Sequence, residues 1–180
     1  MYTNDVKEIL ITEEQLSARI KELGAEITKD YKDSDDLLVI GILKGSVVFL
    51  ADLIRNIDIH TKIDFMTVSS YGMGAESTGK ITIKKDLDTN IEGKDVLIAE
   101  DIIDSGITLS NLTKLLKERN PKSIKICALL NKLERREADI DVDYIGFDIP
   151  NEFIVGYGLD YAEKYRNLPS IGILKREIYE

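Results

Sequence analysis

Hydrophobic positions along this chain fall into two alternating patterns. In residues 13–31 apolar side chains recur at helical spacing, and the capping-box pair Thr12 and Gln15 marks the start of that helix. In residues 37–43 apolar side chains are continuous, which is typical of a strand buried on both faces. Because helical and strand patterns alternate from there onward, the sequence predicts an α/β fold with a mostly parallel central sheet.

The same patterns place the remaining elements. Helices are expected over 13–31, 47–55 and 108–119. Strands are expected over 37–43, 61–69, 80–86, 95–99, 123–130 and 143–148. Residues 150–180 mix short strands and turns, whereas residues 70–79 are polar and glycine-rich. Loops of that length in compact domains often close over a binding site, so we expect a mobile lid there.

Length and charge narrow the possible functions. No linker or internal repeat interrupts the 180 residues, so residues 1–180 are expected to form one domain. The net charge of -9 disfavours nucleic-acid binding, which relies on basic surface. No apolar run approaches the roughly 20 residues that span a bilayer, and the polar N-terminus is unlike a secretory signal. With one cysteine, Cys127, inside a predicted strand, we expect a cytoplasmic location.

The most informative segment follows the predicted strand 95–99. Glu100 and Asp101 come directly after it, Asp104 follows three residues later, and residues 105–108 (Ser-Gly-Ile-Thr) then open a helix. A helix start offers free N–H groups and a positive dipole, to which the hydroxyl groups add further donors. The acids can bind a diol or a hard metal ion. The segment therefore predicts a site for a phosphate, hydroxyl groups and a metal, as in a ribose phosphate.

A simpler interpretation exists for each of these residues taken alone. Ser105 or Thr108 could be an ordinary helix cap, and a single acid beside it could be a solvated neighbour. Three carboxylates within five residues are harder to explain in that way, because their mutual repulsion costs stability unless a cation binds. The combination therefore favours a ligand site over a capped turn.

Residues 100–108 resemble the binding signature for 5-phosphoribosyl pyrophosphate (PRPP) of the type I phosphoribosyltransferases, in its hypoxanthine-guanine form. Three further motifs occur in the order that the family shows. Leu43-Lys44-Gly45-Ser46 resembles its pyrophosphate loop, Ser70-Tyr71 begins a segment like its flexible catalytic loop, and residues 153–161 with Arg166 resemble its base and metal segment. The resemblance covers nearly the whole chain.

This resemblance implies a fold and an activity. The fold would have helices on both faces of the sheet and a small hood from the C-terminal segment and part of the N-terminus. The enzyme would serve purine salvage, moving the 5-phosphoribosyl group from PRPP to hypoxanthine or guanine, with xanthine possible. The products would be IMP or GMP and pyrophosphate, the cofactor Mg²⁺, and the assembly a homodimer or homotetramer.

The resemblance also implies a role for each matching residue. PRPP would contact Lys44, Gly45, Glu100, Asp101, Asp104, Ser105, Gly106, Ile107, Thr108 and Arg166. The purine would contact Lys132 through O6, Phe153 by stacking, Ile154 through its backbone, and Asp160. Glu100, Asp101 and Asp160 would bind Mg²⁺, Asp104 would act as general acid/base near N7, and Ser70 and Tyr71 would belong to the flexible loop.

The sequence suggests three alternative functions, one with a different fold and two with the same fold. Residues 72–77 half-match a dinucleotide-binding fingerprint, but the third glycine and the strand-then-helix context are missing. Some proteins of the phosphoribosyltransferase fold are nucleic-acid-binding regulators, and the basic cluster in residues 132–136 is the only segment that favours this function. A sister enzyme for adenine, xanthine or uracil stays open, although Lys132 mismatches the amine of adenine.

Overall fold

The computed structural model describes residues 2–70 and 81–180, which form a central sheet and a smaller one. The central sheet has the order β4-β3-β2-β5-β6-β7, in which β4 is antiparallel to β3 and the other pairs are parallel. Its strands are β2 (Leu37–Ile42), β3 (Thr61–Ser70), β4 (Ile81–Lys85), β5 (Asp95–Ile103), β6 (Ser123–Asn131) and β7 (Tyr144–Asp148). The mostly parallel sheet is therefore confirmed.

Helices cover both faces of this sheet, with α1 (Glu13–Asp30) and α2 (Val47–Ile54) on one face and α3 (Ile107–Lys117) on the other. The short α4 (Arg176–Tyr179) instead packs through Ile178 and Tyr179 in a separate hydrophobic cluster of the C-terminal segment. Successive side chains of β5 point to opposite faces of the sheet. Leu97 packs in the hydrophobic core formed with α1 and α2, whereas Val96 and Ile98 pack in the core formed with α3. Because β5 is buried on both faces, its apolar run is continuous.

The start of α1 has the predicted capping box. The Thr12 hydroxyl accepts a hydrogen bond from the Gln15 N–H at 3.3 Å, and the Gln15 side chain accepts one from the Thr12 N–H at 2.9 Å. Two backbone donors that a helix start leaves unpaired are satisfied in this way. No helix in the described part of the chain is long and apolar enough to cross a membrane.

The smaller sheet joins the two ends of the chain and matches the expected hood. Its antiparallel strands are β1 (Val6–Ile11), β9 (Ile171–Leu174) and β8 (Ile154–Val155), in the order β1-β9-β8. The hydrophobic pattern did not predict β1 as a strand. Three of its six residues, Lys7, Glu8 and Ile9, are exposed, so the alternation that normally marks a half-buried strand is absent.

Several boundaries differ from the sequence prediction. Strand β5 continues to Ile103 because its pairing with β6 continues to Asn131, so Glu100 and Asp101 lie within the strand instead of after it. Helix α3 begins at Ile107 and ends at Lys117, earlier at both ends than expected. Ser70 is the last residue of β3, and the rest of the predicted loop, with the half-matched fingerprint 72–77, lies outside the described residues.

We expect Gly24→Ala to destabilise the protein, against the usual preference of helices for alanine. Alanine normally gains about 1 kcal/mol over glycine in a helix interior. A Cβ at Gly24 of α1 would, however, lie 2.3 Å from the Asn56 carbonyl oxygen. Overpacking of this kind costs about 1–3 kcal/mol. Thermal unfolding should show a lower Tm for Gly24→Ala, and an unchanged or slightly higher one for the exposed Ser17→Ala control on the same helix. A higher Tm for Gly24→Ala would contradict the contact.

Candidate active site

A cleft of about 300 Å³ opens at the carboxyl-terminal edge of the central sheet. The ends of β2 and β5 and the first turn of α3 form its walls, because parallel strands bring their carboxyl ends to one edge. Its lining includes Gly45, Glu100, Asp101, Asp104, Ser105, Gly106 and Thr108. A second cavity of about 370 Å³ between α1 and α2 contains none of the predicted site residues. The smaller cleft is the better candidate, because acids and a helix start converge on it.

Two adjacent, half-buried acids lie at the end of β5 and line the cleft. Burial raises the pKa of Asp101 to about 6, against the lowering effect of the hydrogen bond from the Ile102 N–H to Asp101 Oδ1 at 2.8 Å. Burial, together with the charge of Asp101, raises the pKa of Glu100 well above its usual value. Glu100 Oε2 is shut off from solvent and has no hydrogen-bond partner in the described part of the chain. Such an oxygen is suited to a ligand that brings its own donor or positive charge.

The start of α3 has the features of an anion-binding helix start. Gly106 precedes the helix with φ +77°, a left-handed conformation that favours glycine. No side chain caps the helix; the nearest approach is a long 3.4 Å contact between the Ile107 N–H and Ser105 Oγ. The partly buried Thr108 adds a hydroxyl group to the cleft wall. Backbone N–H groups and the dipole of the eleven-residue helix therefore face the cleft.

Asp104 follows β5 between two basic side chains. Arg135 Nε lies 3.0 Å from Asp104 Oδ1, so the two side chains form an ion pair. The Arg135 N–H is not directed at this oxygen, which therefore accepts no hydrogen bond from it. Lys132 is buried, with 7% of its surface exposed. Its backbone N–H donates a hydrogen bond to the Ile103 carbonyl oxygen at 3.0 Å. Burial lowers the pKa of Lys132, and the charge of Asp104 opposes that shift. The structure therefore places a buried lysine near the acid that the sequence predicts to act on the base.

The loop after β2 is tightly packed between β5 and the C-terminal segment. Its Leu43–Lys44 peptide bond is cis. A Cβ at Gly45 would lie 1.6 Å from Asp101 Oδ2, and one at Gly158 would lie 2.1 Å from the Gly45 carbonyl oxygen. Any side chain at Gly45 would therefore displace the Asp101 carboxylate, and only glycine permits this approach.

The C-terminal segment adds a second group of charges beside this loop. Arg166 Nη2 pairs with Asp160 Oδ1 at 2.9 Å, and Arg166 Nη1 donates to the Gly158 carbonyl at 2.8 Å. The other carboxylate oxygen of Asp160 accepts the Glu163 N–H at 2.9 Å. The positive charge of Arg166 lowers the pKa of Asp101 and the negative charge of Asp160 raises it, so both lie close enough to act on the acid pair.

An aromatic stack lies at the edge of the hood. The Phe153 ring stacks on Tyr179 of α4 at 4.7 Å between centroids and meets Tyr161 edge-on at 5.5 Å. Phe153 is 36% exposed, whereas its neighbour Ile154 is buried in β8. A partly exposed, laterally supported ring is a suitable platform for a flat base. The residues of this stack do not line the cleft that holds the acids.

This chain matches the family model of the phosphoribosyl transferase domain over residues 6–162. The chain belongs to this family. It is 55% identical to the hypoxanthine-guanine phosphoribosyltransferase of Bacillus subtilis, with the match covering 100% of this chain and 99% of the relative.

Solved structures agree with the sequence relatives. A crystal structure of a hypoxanthine phosphoribosyltransferase from Staphylococcus aureus has a TM-score of 0.96 at 56% identity, over 99% of this chain and 96% of that one. A hypoxanthine phosphoribosyl transferase from Trypanosoma cruzi, studied for the role of its C-terminal region in oligomeric state and activity, has a TM-score of 0.93 at 41% identity, over 97% and 94% of the two chains. The type I phosphoribosyltransferase fold expected from the sequence is confirmed.

Some features of this phosphoribosyltransferase site were missed in the sequence. Arg135, which pairs with Asp104, appeared only as part of a basic cluster considered for nucleic acid. Glu163, which bridges Lys44 and Arg166, gave no signal because its partner Lys44 lies 119 positions away. The spacing of Gly156 and Gly158 around Tyr157 did indicate a turn, and all three have positive φ.

The residues present fit a hard divalent cation. Among the described residues, no group of three His, Cys, Asp or Glu side chains forms a ready-made metal site. The orphaned Glu100 Oε2 and the adjacent Asp101 nevertheless offer oxygen ligands in a place where a positive charge would relieve their repulsion. Mg²⁺ usually binds one or two carboxylates and takes its remaining ligands from water and substrate phosphates. The acid pair is thus half of such a site.

We expect Mg²⁺ to stabilise the protein more at about pH 7.5 than at about pH 5. The folded protein holds protons on Glu100 and Asp101 more tightly than the unfolded chain, since both pKa values are raised. Stability without metal should therefore fall as pH rises from the ordinary carboxyl pKa through about 6. A bound cation would offset this loss of stability once Glu100 and Asp101 are both ionised. The measurement is Tm with MgCl₂ and with EDTA at both pH values.

Glu100→Gln provides the matched test of this effect. The amide removes one charge from the pair, so this variant should have a higher Tm than the parent in EDTA at the higher pH and a much smaller gain from Mg²⁺. The exposed Glu92→Gln variant, which removes the same charge elsewhere, should respond to Mg²⁺ like the parent. An equal gain from Mg²⁺ at both pH values would contradict the role of the acid pair.

Proposed function

We propose that this chain is a purine salvage enzyme that transfers the 5-phosphoribosyl group of PRPP to hypoxanthine or guanine, giving IMP or GMP and pyrophosphate. One observation carries the proposal: the half-buried Glu100–Asp101 pair, the Asp104 carboxylate and the uncapped start of α3 line the same cleft. Full-length identity of 55% to a hypoxanthine-guanine phosphoribosyltransferase supports the same reaction. The proposal treats residues 1–180 as one phosphoribosyltransferase domain.

PRPP offers a phosphate, a diol and a pyrophosphate to three parts of the site. The 5'-phosphate would bind the first turn of α3 and residues 105–108, where N–H groups and hydroxyls converge. The ribose hydroxyls would donate to Asp101 and to Glu100, whose Oε2 has no hydrogen-bond partner among the described residues. The pyrophosphate would bind Lys44, the Gly45 backbone and Arg166. Each part of the ligand thus meets the group of opposite polarity.

The purine would lie between Asp104 and the hood. Lys132 would donate to O6; its burial and the nearby charge of Asp104 support this role. Phe153 would stack on the ring, and Ile154 would contact its edge through backbone atoms. A carbonyl at position 6 suits the ammonium group, whereas the amine of adenine does not. This geometry supports a 6-oxopurine, with xanthine as a further substrate.

The reaction needs charge stabilisation more than covalent chemistry from the protein. Purine N9 attacks C1' of PRPP while the bond to pyrophosphate breaks, with inversion at C1'. Lys44 and Arg166 would stabilise the leaving pyrophosphate, and the gain is larger in the transition state than in the bound substrate. Mg²⁺ held by Glu100 and Asp101 would supply further positive charge to the leaving group. Asp104 would accept the proton that the purine loses at N7.

The remaining expectations extend the proposal. Ser70 and Tyr71 would belong to a lid that excludes water from the reactive sugar cation; their side chains lie outside the described residues. A cytoplasmic location is supported by the free, buried thiol of Cys127. Exposed apolar side chains on α2 and β3, Val47 and Ile63, support a homodimer or homotetramer. Nucleic acid and membrane are not proposed as partners.

Pyrophosphate release from PRPP and Mg²⁺, measured separately with hypoxanthine, guanine, xanthine, adenine and uracil, tests the proposed function. We expect release with hypoxanthine or guanine, and the ratio of kcat/KM values then defines the preference. Release with adenine or uracil alone would keep the fold and overturn the O6 contact of Lys132. Release with none of the five would overturn the enzyme assignment and lead to a nucleic-acid binding titration.

We expect Asp104→Asn to fold normally and to lower kcat. General acid/base assistance is typically worth about 100- to 10,000-fold, and the amide cannot accept the proton. The measurement is kcat with saturating PRPP and hypoxanthine, with Tm as the check on folding. Asp33→Asn, at an exposed turn after α1, removes the same charge away from the cleft and should leave kcat unchanged. Wild-type turnover by Asp104→Asn would remove this residue from the role.

A further inference from the structure

The carboxylate of Glu163 lies between the two basic side chains assigned to pyrophosphate. Its Oε2 lies 2.9 Å from Lys44 Nζ, and its Oε1 lies 3.3 Å from Arg166 Nη2. Hydrogen bonding to Lys44, with the charge of Arg166 acting in the same direction, lowers the pKa of Glu163, so the group is an anion at neutral pH. Two oxygens of one anion therefore contact both cations, as two pyrophosphate oxygens would.

The backbone around Glu163 keeps this carboxylate in position. Tyr161 and Lys164 pair across a tight turn, with N–H···O distances of 3.2 and 3.0 Å, and the Glu163 N–H is bound to Asp160. Glu163 itself has φ +62° and its neighbour Ala162 φ +50°, which ordinary residues rarely adopt. A side chain tethered in this way has a high effective concentration at Lys44 and Arg166.

The contact is nevertheless easy to break. The side chains of Lys44 and Glu163 are 64% and 65% exposed, and exposed ion pairs are weak. An incoming anion with more than one negative charge can displace the single charge of Glu163 from both cations without exposing any buried group. Once displaced, Glu163 would remain on its turn beside the site, one side-chain length from the bound anion.

We propose that Glu163 is an internal counter-anion that the pyrophosphate group of PRPP displaces on binding and that replaces pyrophosphate on release. The proposal rests on the proposed function, which assigns Lys44 and Arg166 to pyrophosphate. Glu163 does not touch the reacting atoms, so it acts as a positioning residue through the two cations. It weakens binding of PRPP and pyrophosphate alike and speeds the departure of the product.

Glu163→Gln tests this role, because the amide keeps the shape and removes the charge. We expect the Kd of Mg²⁺-pyrophosphate, measured by calorimetry, and the KM for PRPP to fall by about 3- to 10-fold, a range set by the loss of a weak competing contact. The KM for hypoxanthine should not change. If pyrophosphate departure limits turnover, kcat falls together with the KM for PRPP, which a purely structural role would not produce.

Two variants control for charge and for position. Glu92→Gln makes the same change in net charge on an exposed turn before β5, at the opposite edge of the sheet, and should leave both constants unchanged. Glu163→Asp keeps the charge but withdraws it by one methylene, and aspartate tolerates positive φ. Its affinity for pyrophosphate should fall between those of the parent and Glu163→Gln.

The outcomes separate this proposal from the one on which it rests. An unchanged or weaker affinity of Glu163→Gln for pyrophosphate, in a parent protein that binds pyrophosphate and uses PRPP, overturns the counter-anion role alone. A parent protein that neither binds pyrophosphate nor releases it from PRPP with any base overturns both. A gain in affinity shared by Glu92→Gln would show a general charge effect and would also overturn the role of Glu163.

Discussion

The partial burial of two neighbouring carboxylates at the end of the central strand is the constraint on which the site depends. Glu100 and Asp101 lie half-buried in the cleft wall because β5 continues its pairing with β6 through Ile103. Ionised groups in such a place are costly unless something positive or hydrogen-bonding reaches them. The surrounding parts of the site supply or admit such partners: an open helix start, a loop that approaches as close as glycine permits, and Arg166 within electrostatic range.

The charges of the site form a balanced network in a chain with a net charge of -9. Arg135 faces Asp104, Arg166 faces Asp160, and Lys44 faces Glu163. The two basic groups assigned to pyrophosphate, Lys44 and Arg166, are therefore each paired with an acid before substrate arrives. Exposed ion pairs contribute little to the free energy of unfolding. Their main effect is to orient the lysine and arginine side chains. Substrate binding becomes an exchange of one partner for another, which costs less than ordering free lysines and arginines.

Local features of the fold and site could be predicted from the sequence, and features that depend on distant partners could not. The buried strand, the acids and the helix after them are contiguous in residues 95–117, so one segment determines them. Strand β1 was missed because half of its residues are exposed and its partner β9 lies at the other end of the chain. Arg135 and Glu163 were missed because tertiary packing alone brings them to Asp104 and Lys44.

The close approach of Gly45 to both Asp101 and Gly158 has a consequence for altering this enzyme. Gly45 packs directly against the Asp101 carboxylate, and Gly158 packs directly against the Gly45 carbonyl. Neither contact leaves room for one further carbon atom. Random libraries that vary positions 45 and 158 would consist almost entirely of molecules in which the acid pair is displaced. Phe153, Tyr179 and Leu133, whose side chains reach solvent, offer sites where diversity is tolerated. If the proposed roles hold, substitutions on the hood side would alter the choice of base, whereas the side proposed to bind sugar and pyrophosphate has no room for them.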